Sequence, residues 1–310
     1  MNKVLFIIGS TGSGKTELSL KTAQQFNGEI VCADSRQIYR KMDIGTAKPK
    51  DEERLRISHH LFDICDPNEY FSAGEYSKLA RKSISGILQR NHLPIVVGGS
   101  GLYIKALIDG VFQEDFKDQH VRQRLNSEAD NKGISVLYQR LMEIDPEQAQ
   151  KIHFNDRKRI IRGLEVYELS GNPISKMQKE KTTPSKFHPI LIGLKWRREK
   201  LFQRINQRVD HMIQLGLVEE VKHLRMQGYG IELNSMNSVG YKEMISFLAE
   251  EISFEEAILL IKRNTRRYAK RQMTWFKKDK RIHWIDLFEP VNWSSICTTI
   301  SIQLKIGCNG

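Results

Sequence analysis

The chain has 310 residues, with 49 Lys or Arg against 37 Asp or Glu, so its formal net charge is +12. This length and a 28% charged fraction fit one large or two modest folded domains and exclude a disordered chain. The early apolar run Val4–Ile8 is far shorter than the roughly 18 residues of a membrane-spanning helix, and no secretory cleavage site follows it. The four cysteines form no C-x-x-C pair, so we expect a cytoplasmic protein.

The first third of the chain alternates between strand and helix patterns. Val4–Ile8, Glu29–Ala33 and Leu93–Val97 are short apolar runs rich in β-branched residues, which predicts buried strands. A capping box, Ser72 to Glu75, opens a helical pattern between the second and third of these strands. Strands joined by helical crossovers predict an α/β fold with a parallel sheet flanked by helices.

The middle of the chain changes pattern. Residues 113–187 contain no clear strand, and helical periodicity dominates, as in the segment 156–170. A strand pattern returns at Pro189–Leu194, and most of the remaining chain is helical. The sequence therefore predicts a core domain formed by 1–112 and 188–310, with a small helical domain inserted at 113–187.

A phosphate-binding loop follows the first strand and precedes a helix. The segment fits G-x-x-x-x-G-K-[ST], a motif whose backbone N–H groups surround phosphate oxygens. The lysine adds a positive charge, and the final hydroxyl can ligate Mg²⁺, so the motif predicts a site for a di- or triphosphate. Its residues are Gly9, Ser10, Thr11, Gly12, Ser13, Gly14, Lys15 and Thr16.

Polar residues also follow the other two strands. An ATP-hydrolysing enzyme usually has an apolar strand that ends in Asp, which binds Mg²⁺, but the strand at 93–97 is followed by Gly98–Gly101. This glycine-rich segment is either an ordinary turn or a place where the backbone closely approaches a ligand. Asp34 follows the second strand, where it could hold magnesium through water, act as a general base or cap a helix. Gln37 could contact a base edge or face solvent.

The positive charge is concentrated in the second half. Residues 1–155 carry 21 basic and 20 acidic side chains, whereas 156–310 carry 28 and 17. The segment 157–162 has four cations, a pattern typical of a solvated helix face. The segment 262–281 has ten cations and one acid, and its pairs recur every four residues as a stripe with interleaved aromatic residues. That stripe favours nucleic-acid binding.

These segments together resemble the bacterial tRNA dimethylallyltransferases. Besides the phosphate loop, the resemblance rests on Ala33–Tyr39, Gly98–Tyr103, Gly240–Glu243 and the most specific of them, Thr265–Phe276. It implies a P-loop NTPase-like fold that transfers the dimethylallyl group of dimethylallyl pyrophosphate to N6 of the adenosine at position 37, beside the tRNA anticodon. Pyrophosphate leaves, and N6-(dimethylallyl)adenosine forms. The phosphate loop then holds this donor and Mg²⁺, through Thr16, and hydrolyses no ATP.

The resemblance also implies roles for individual residues. Asp34 is the general base, and Ser100, where the family usually has Thr, orients the reacting groups together with Arg122. The expected partner is the tRNA anticodon stem-loop, bound by a monomer without membrane contact. The implied tRNA contacts are Asp34, Ser35, Arg36, Gln37, Arg157, Lys158, Arg159, Ile160, Ile161, Arg266, Arg267, Lys270 and Arg271.

Two other interpretations compete with tRNA prenylation. A P-loop kinase of a small metabolite would use the same phosphate loop and carry the basic half as a solvated surface. An RNA-binding module could use a bound nucleotide as a switch. The segment 265–276 and the missing acidic strand favour the transferase over the kinase.

Overall fold

The structure, a computed structural model, describes residues 2–112, 116–180 and 182–306. The chain forms two compact units, one made of 1–108 with 185–310 and the other of 109–184. These bounds differ by a few residues from the predicted insertion at 113–187. Of the four cysteines, Cys308 lies outside the described residues, and the other three are buried free thiols.

The larger unit is built on a parallel sheet, which confirms the predicted α/β fold. Within the described residues it has six strands in the order β3-β2-β4-β1-β5-β6, and every neighbouring pair is parallel. The strands are β1 Lys3–Gly9, β2 Gly28–Cys32, β3 His59–His60, β4 Leu93–Gly98, β5 His188–Trp196 and β6 His283–Leu287.

Helices connect the strands and cover the sheet. Ser72 caps α3 through the predicted capping box, accepting the N–H of Glu75. The described helices of the larger unit are α1 Lys15–Phe26, α2 Asp51–Arg56, α3 Ala73–Gln89, α4 Gly101–Ile108, α10 Arg198–Gln214, α11 Leu217–Met226, α12 Tyr241–Leu248, α13 Phe254–Phe276 and α14 Trp293–Ile306. Those of the smaller unit are α5 Gln119–Lys132, α6 Ile134–Ile144, α7 Pro146–Lys151, α8 Arg157–Ser170 and α9 Ile174–Glu180.

Both faces of the sheet are buried. Along β1, Val4, Phe6 and Ile8 contribute to one hydrophobic cluster while Leu5 and Ile7 contribute to another, because alternate side chains of a strand point to opposite faces. All five are fully buried. The continuous apolar run is therefore the signature of a central parallel strand with helices on both sides.

The smaller unit has its own hydrophobic core. Leu125 of α5, Leu137 and Leu141 of α6 and Leu164 of α8 pack there and are fully buried. Its longest predicted helix, at 156–170, is α8: Asp156 accepts the N–H of Arg159 at its start. The unit is thus a helical body with an apolar centre, as the periodicity predicts.

Two short strands escape prediction from the sequence. β3 consists of only two residues, and β6 has a mostly half-exposed pattern on the sheet edge. In β3, His60 Nε2 lies 2.6 Å from Glu29 Oε2, and Arg90 holds the same carboxylate. His60 therefore has a structural partner, and the described residues contain no metal-holding cluster of His, Cys, Asp or Glu. Among them, no helix combines the length and apolarity needed to cross a bilayer.

Candidate active site

Three neighbouring strands deliver their loops to one edge of the sheet. The phosphate loop leaves β1, Asp34 follows β2, and Gly98–Gly101 follows β4, with β1, β4 and β2 adjacent. The Ala33 N–H donates to Val97 O at 2.8 Å, which continues the pairing up to the loops. In open α/β sheets, ligands bind at this carboxyl edge, so the fold brings together the three segments that the sequence singles out.

The phosphate loop has the backbone that its glycines predict. Gly12 and Gly14 have φ of 76° and 93°, in the left-handed region that favours glycine. α1 begins at Lys15, directly after the loop, so its positive end faces the loop. Trp196 and Arg204 donate hydrogen bonds to the carbonyls of Ser13 and Gly12, which turns these carbonyls outward toward β5 and α10.

A cavity of about 320 Å³ opens beside the loop, large enough for a small ligand. Two sets of lining side chains differ in chemistry. We call Thr11, Lys15, Thr16 and Arg208 the phosphate-loop group, and Asp34, Gln37, Gly45 and Tyr241 the Asp34 group. The cavity therefore places two hydroxyls and two cations of the phosphate-loop group in the same space as the Asp34 carboxylate.

The phosphate-loop group concentrates positive charge. Burial lowers the pKa of Lys15 to about 8, Asp34 opposes this shift, and Arg208 adds to it. Burial also lowers the pKa of Arg208, again opposed by Asp34. Lys15 Nζ donates to the Ser10 carbonyl at 2.7 Å. A bound anion would compensate both cations, so this part of the cavity suits a diphosphate.

Asp34 faces these cations from the turn after β2. Its Oδ1 accepts the N–H of Arg36 at 2.9 Å, a local turn that fixes the carboxylate. Ser100 supports the turn from behind: its Oγ accepts the N–H of Ser35 at 2.8 Å, and its own N–H donates to Ala33 O at 3.1 Å. Ser100 does not line the cavity. Its hydroxyl holds the backbone beside Asp34 in place.

The loop at 43–47 forms the wall beside Asp34. Gln37 Nε2 donates to the carbonyls of Thr46 and Ala47 at 3.0 and 2.9 Å, so its amide fastens this loop instead of facing solvent. On the other side, Glu220 of α11 accepts the N–H groups of Asp43, Ile44 and Gly45 at 2.9, 2.7 and 3.1 Å. One carboxylate thus holds three consecutive backbone donors.

Tyr241 joins this wall to α12. Its hydroxyl donates to Glu220 Oε1 at 2.6 Å, and burial together with Glu220 raises the pKa of Tyr241. Arg36 reaches across to Asn234, donating to its carbonyl at 2.6 Å. The segment after α11 therefore closes the cavity through polar contacts with the loops that follow β2.

Arg122 belongs to α5 of the smaller unit, where its guanidinium donates to both oxygens of the buried Glu165, at 3.0 and 2.8 Å. The orienting role that the resemblance implies for Arg122 stays a prediction. Arg208, which sequence analysis missed, lines the cavity together with Arg36 and Arg271. It precedes the apolar position Val209 of α10 and belongs to no motif, so only the packing of that helix reveals it.

The cations at the start of α8 are largely engaged within their own unit. Arg157 forms an ion pair with Asp130, at 2.5 Å, and Arg159 pairs with Asp156 at 3.3 Å. Lys158 is exposed. The side chains of Ile160 and Ile161 are buried in the hydrophobic core and position the helix. The contact of this segment with tRNA stays a prediction.

The basic stripe divides between two faces of α13. Lys262 and Arg266 bind Asp210 and Asn206 of α10, which fixes α13 against that helix. The guanidinium of Arg271 lies 5.8 Å from the ring of Tyr268, and both residues line the cavity. The other face of the helix carries its exposed cations, which are Arg263, Arg267, Lys270 and Arg271.

Comparisons with known proteins find similarity along most of the chain. The family model described as IPP transferase matches residues 37–279. A tRNA dimethylallyltransferase of Acetivibrio thermocellus is 49% identical over 288 residues, which cover 92% of each chain. The solved tRNA isopentenylpyrophosphate transferase of Bacillus halodurans has a TM-score of 0.74 at 39% identity, covering 99% of this chain and 98% of its own.

A solved structure with lower sequence identity has a higher TM-score than the Bacillus halodurans enzyme. It is a eukaryotic dimethylallyltransferase described as acting on tRNA, with a TM-score of 0.83 at 31% identity. The match covers 97% of this chain and 78% of the eukaryotic one. Similarity therefore extends over nearly the whole chain.

Proposed function

Because the chain belongs to the IPP transferase family, we propose that it transfers the dimethylallyl group of dimethylallyl pyrophosphate to N6 of adenosine 37 in tRNA. The chain is a prenyl transferase that modifies a tRNA adenosine, as its relatives' names describe. The observation that supports transfer to N6 of this adenosine is that Asp34 lines the same cavity as Lys15, Thr16 and Arg208. A carboxylate and a diphosphate site share one space there.

The phosphate-loop group binds the donor. Backbone N–H groups of the loop, the Lys15 ammonium and the Arg208 guanidinium surround the diphosphate. Negative charge builds on the diphosphate as it leaves, and these preorganised donors stabilise that charge more strongly than they stabilise the bound donor. We assign an orienting role to Arg208, because it lines the cavity, and Arg122 remains the second arginine that the resemblance implies for this role.

Asp34 activates the acceptor. The lone pair of adenine N6 is delocalised into the ring, so the amine attacks only as its proton is withdrawn. N6 forms a bond to C1 of the dimethylallyl group, the bond from C1 to the diphosphate oxygen breaks, and its electron pair leaves with the pyrophosphate. The N6 proton passes to the carboxylate of Asp34, whose turn is fixed by Arg36 and Ser100.

Magnesium fits this site as a companion of the diphosphate. The described residues hold no cluster of acidic or histidine ligands, and Thr16 offers one hydroxyl at the cavity. Thr16 together with phosphate oxygens would hold the ion, because Mg²⁺ usually keeps several waters and few protein ligands. The ion would neutralise part of the diphosphate charge.

The exposed face of α13 binds the tRNA anticodon stem-loop. Its cations can neutralise phosphates, and the face adjoins the cavity because Arg271 belongs to both. An adenine stacked in the loop must leave that stack to reach a carboxylate inside a cavity, which implies that the base is extruded. We propose that the chain does this as a monomer in the cytoplasm.

The proposed function is tested by label transfer. The protein is incubated with labelled dimethylallyl pyrophosphate and two transcripts of one tRNA, which differ only by adenosine or guanosine at position 37. We expect label only in the adenosine transcript, recovered after digestion as N6-(dimethylallyl)adenosine, with one pyrophosphate released per label. Label in both transcripts, or ADP formed from ATP in step with modification, would contradict the proposal.

A further inference from the structure

Two helices that line the cavity, α10 and α13, are held in a fixed antiparallel register by polar contacts. Arg266 of α13 donates to Asn206 Oδ1 of α10 at 2.7 Å, and Lys262 forms an ion pair with Asp210 at 2.5 Å. Four residues forward along α10 therefore correspond to four residues back along α13. This register shows which lining residues of the two helices lie at the same level.

The phosphate loop lies at one end of this pair of helices. Gln272 of α13 accepts the N–H of Thr11 in the loop at 2.8 Å, which marks that end. Among the lining residues, Met212 of α10 and Ile261 of α13 are the farthest from it along their helices. The register places these two side chains at nearly the same level, so together they form the apolar far end of this wall.

The far end is closed by the hydrophobic core. Val209, which lines the cavity one helical turn before Met212, and Ile261 are each 2% exposed and belong to the main hydrophobic cluster. Met212 and Val239 also line the cavity and pack against that cluster. A ligand chain that extended past Met212 would therefore have to enter a packed core, which resists added volume.

We propose that Met212 and Ile261 form the end of a prenyl compartment and limit the donor to one isoprene unit. The inference rests on the proposed function, in which the diphosphate lies beside Arg208. Val209 directly follows Arg208, so the donor carbon attached to the diphosphate would meet the apolar stripe at once. From Arg208 to Met212 the helix rises about 6 Å, which accommodates a five-carbon group and not a ten-carbon one.

The two ends of this compartment can be altered independently. Methionine fills irregular space with a flexible side chain, so Met212→Ala should leave an apolar hole at the far end of α10. Ile261→Val removes one methylene from the opposite helix, a change that usually costs little stability. Both substitutions lengthen the space in which a prenyl chain can extend, and neither changes a charged group.

The test compares geranyl pyrophosphate with dimethylallyl pyrophosphate as labelled donors to the same tRNA. We expect wild-type kcat/KM to be at least about a hundredfold lower for the geranyl donor, because its second isoprene unit does not fit. This ratio should shift toward geranyl about tenfold or more in Met212→Ala, and by a smaller factor in Ile261→Val. Both donors are measured on one enzyme sample, so partial unfolding of a variant cancels from the ratio.

Two control variants separate compartment length from loosening of the core. Met212→Leu conserves volume and should keep the wild-type ratio. Met244→Ala empties a fully buried position of the same hydrophobic cluster that does not line the cavity, so its ratio should also equal that of the wild type.

The outcomes distinguish the inference from the proposed function. An unchanged ratio in both Met212→Ala and Ile261→Val overturns the inference, as does equal wild-type use of the two donors. An equal shift in Met244→Ala would also overturn it, because general loosening of the core would then explain the result. Absence of dimethylallyl transfer by the wild type would instead contradict the proposed function.

Discussion

The two groups that line the cavity are built in opposite ways. The phosphate-loop group comes mainly from one short stretch of chain, and its donors are cations and backbone N–H groups. The Asp34 group comes from distant segments: Gln37 and Glu220 together hold the loop at 43–47, and Tyr241 braces Glu220 from α12. The phosphate-loop group is local and charged. The Asp34 group is assembled by tertiary contacts and contains the carboxylate that we propose as the general base.

This difference separates the two substrates. Local, cationic structure suits a small anion that is the same in every turnover, whereas a wall built from several loops can be shaped around a base delivered by a large RNA. Substitutions in the phosphate-loop group should therefore lower donor affinity or kcat/KM for the donor. Substitutions in the Asp34 group should lower the rate of the chemical step or raise KM for tRNA. The following substitutions test that separation.

Asp34→Asn should have the largest effect. The amide is nearly isosteric and still hydrogen-bonds the acceptor amine, but it does not take the proton. We expect kcat to fall roughly 10²–10⁴-fold, the usual share of general-base catalysis, with little change in tRNA affinity. Single-turnover rates and separate tRNA binding measurements check this result. A normal single-turnover rate would show that Asp34 is not the base.

Lys15→Ala should have the second largest effect, and it should act on use of the prenyl donor. Loss of the ammonium should lower kcat/KM for dimethylallyl pyrophosphate about 10²–10³-fold, similar to the loss of one preorganised donor to a developing anion. Affinity for tRNA alone should stay unchanged. Normal turnover at low donor concentration would remove Lys15 from this role.

The same lysine predicts a pH dependence. Because the pKa of Lys15 in the free protein is about 8 and a bound diphosphate favours the charged form, pyrophosphate affinity is greatest below that pH and falls as pH rises through it. The side chain in Lys15→Arg stays charged as pH rises. The pH profile of this variant therefore reports the titration of pyrophosphate itself and is the reference for the wild-type profile. A wild-type profile parallel to that of Lys15→Arg above pH 8 would contradict this account.

Glu220→Ala should have a smaller effect, confined to the acceptor. It leaves three backbone donors of the loop at 43–47 without their acceptor, at a cost of about 1–3 kcal/mol, so KM for tRNA should rise roughly tenfold. Pyrophosphate affinity should not change. Glu219→Ala, which alters a neighbouring carboxylate on the same helix, is the control. Equal changes in both variants, or a change in donor affinity alone, would argue against a loop-positioning role.

Neutralising cations on the exposed face of α13 should have the smallest effect per substituted residue. Arg267→Gln with Lys270→Gln should weaken binding of all tRNAs alike, and the log–log salt slope should shrink by about 0.7–0.9 for each phosphate that the protein no longer neutralises. Lys262→Gln is the matched control, since Lys262 is held by Asp210 on the other face of the helix. A slope unchanged by the double substitution would assign tRNA binding to another surface.

The parts predicted from sequence are those encoded locally. The phosphate loop is eight consecutive residues whose glycines dictate its backbone, and β1 carries an uninterrupted apolar run, so both are visible without tertiary information. Arg208 and Gln272 lie on helices that the periodicity predicts, but which residue faces the loop depends on how α10 and α13 pack. The packing of these two helices cannot be deduced from the sequence pattern alone.

Burial adds information that the pattern of residue types does not give. Ile160 and Ile161 lie among cations, and the family resemblance implies that they contact tRNA, yet the helix needs them for the core of the smaller unit. Arg266 belongs to the basic stripe by spacing, but it is bound to Asn206 and lies 5.7 Å from the ring of Phe202. The spacing of charges defines a stripe, and only the neighbouring helix determines which half of it remains exposed.

The most direct test of the central claim is the pyrophosphate affinity of Asp34→Asn across a magnesium series. As a base for the acceptor, Asp34 contributes only its negative charge near the diphosphate, so its removal should leave pyrophosphate binding unchanged or tighter at every Mg²⁺ concentration. Were Asp34 a group that holds magnesium through water, the variant would bind pyrophosphate more weakly and high Mg²⁺ would restore the affinity. Weaker binding rescued by magnesium would contradict the account.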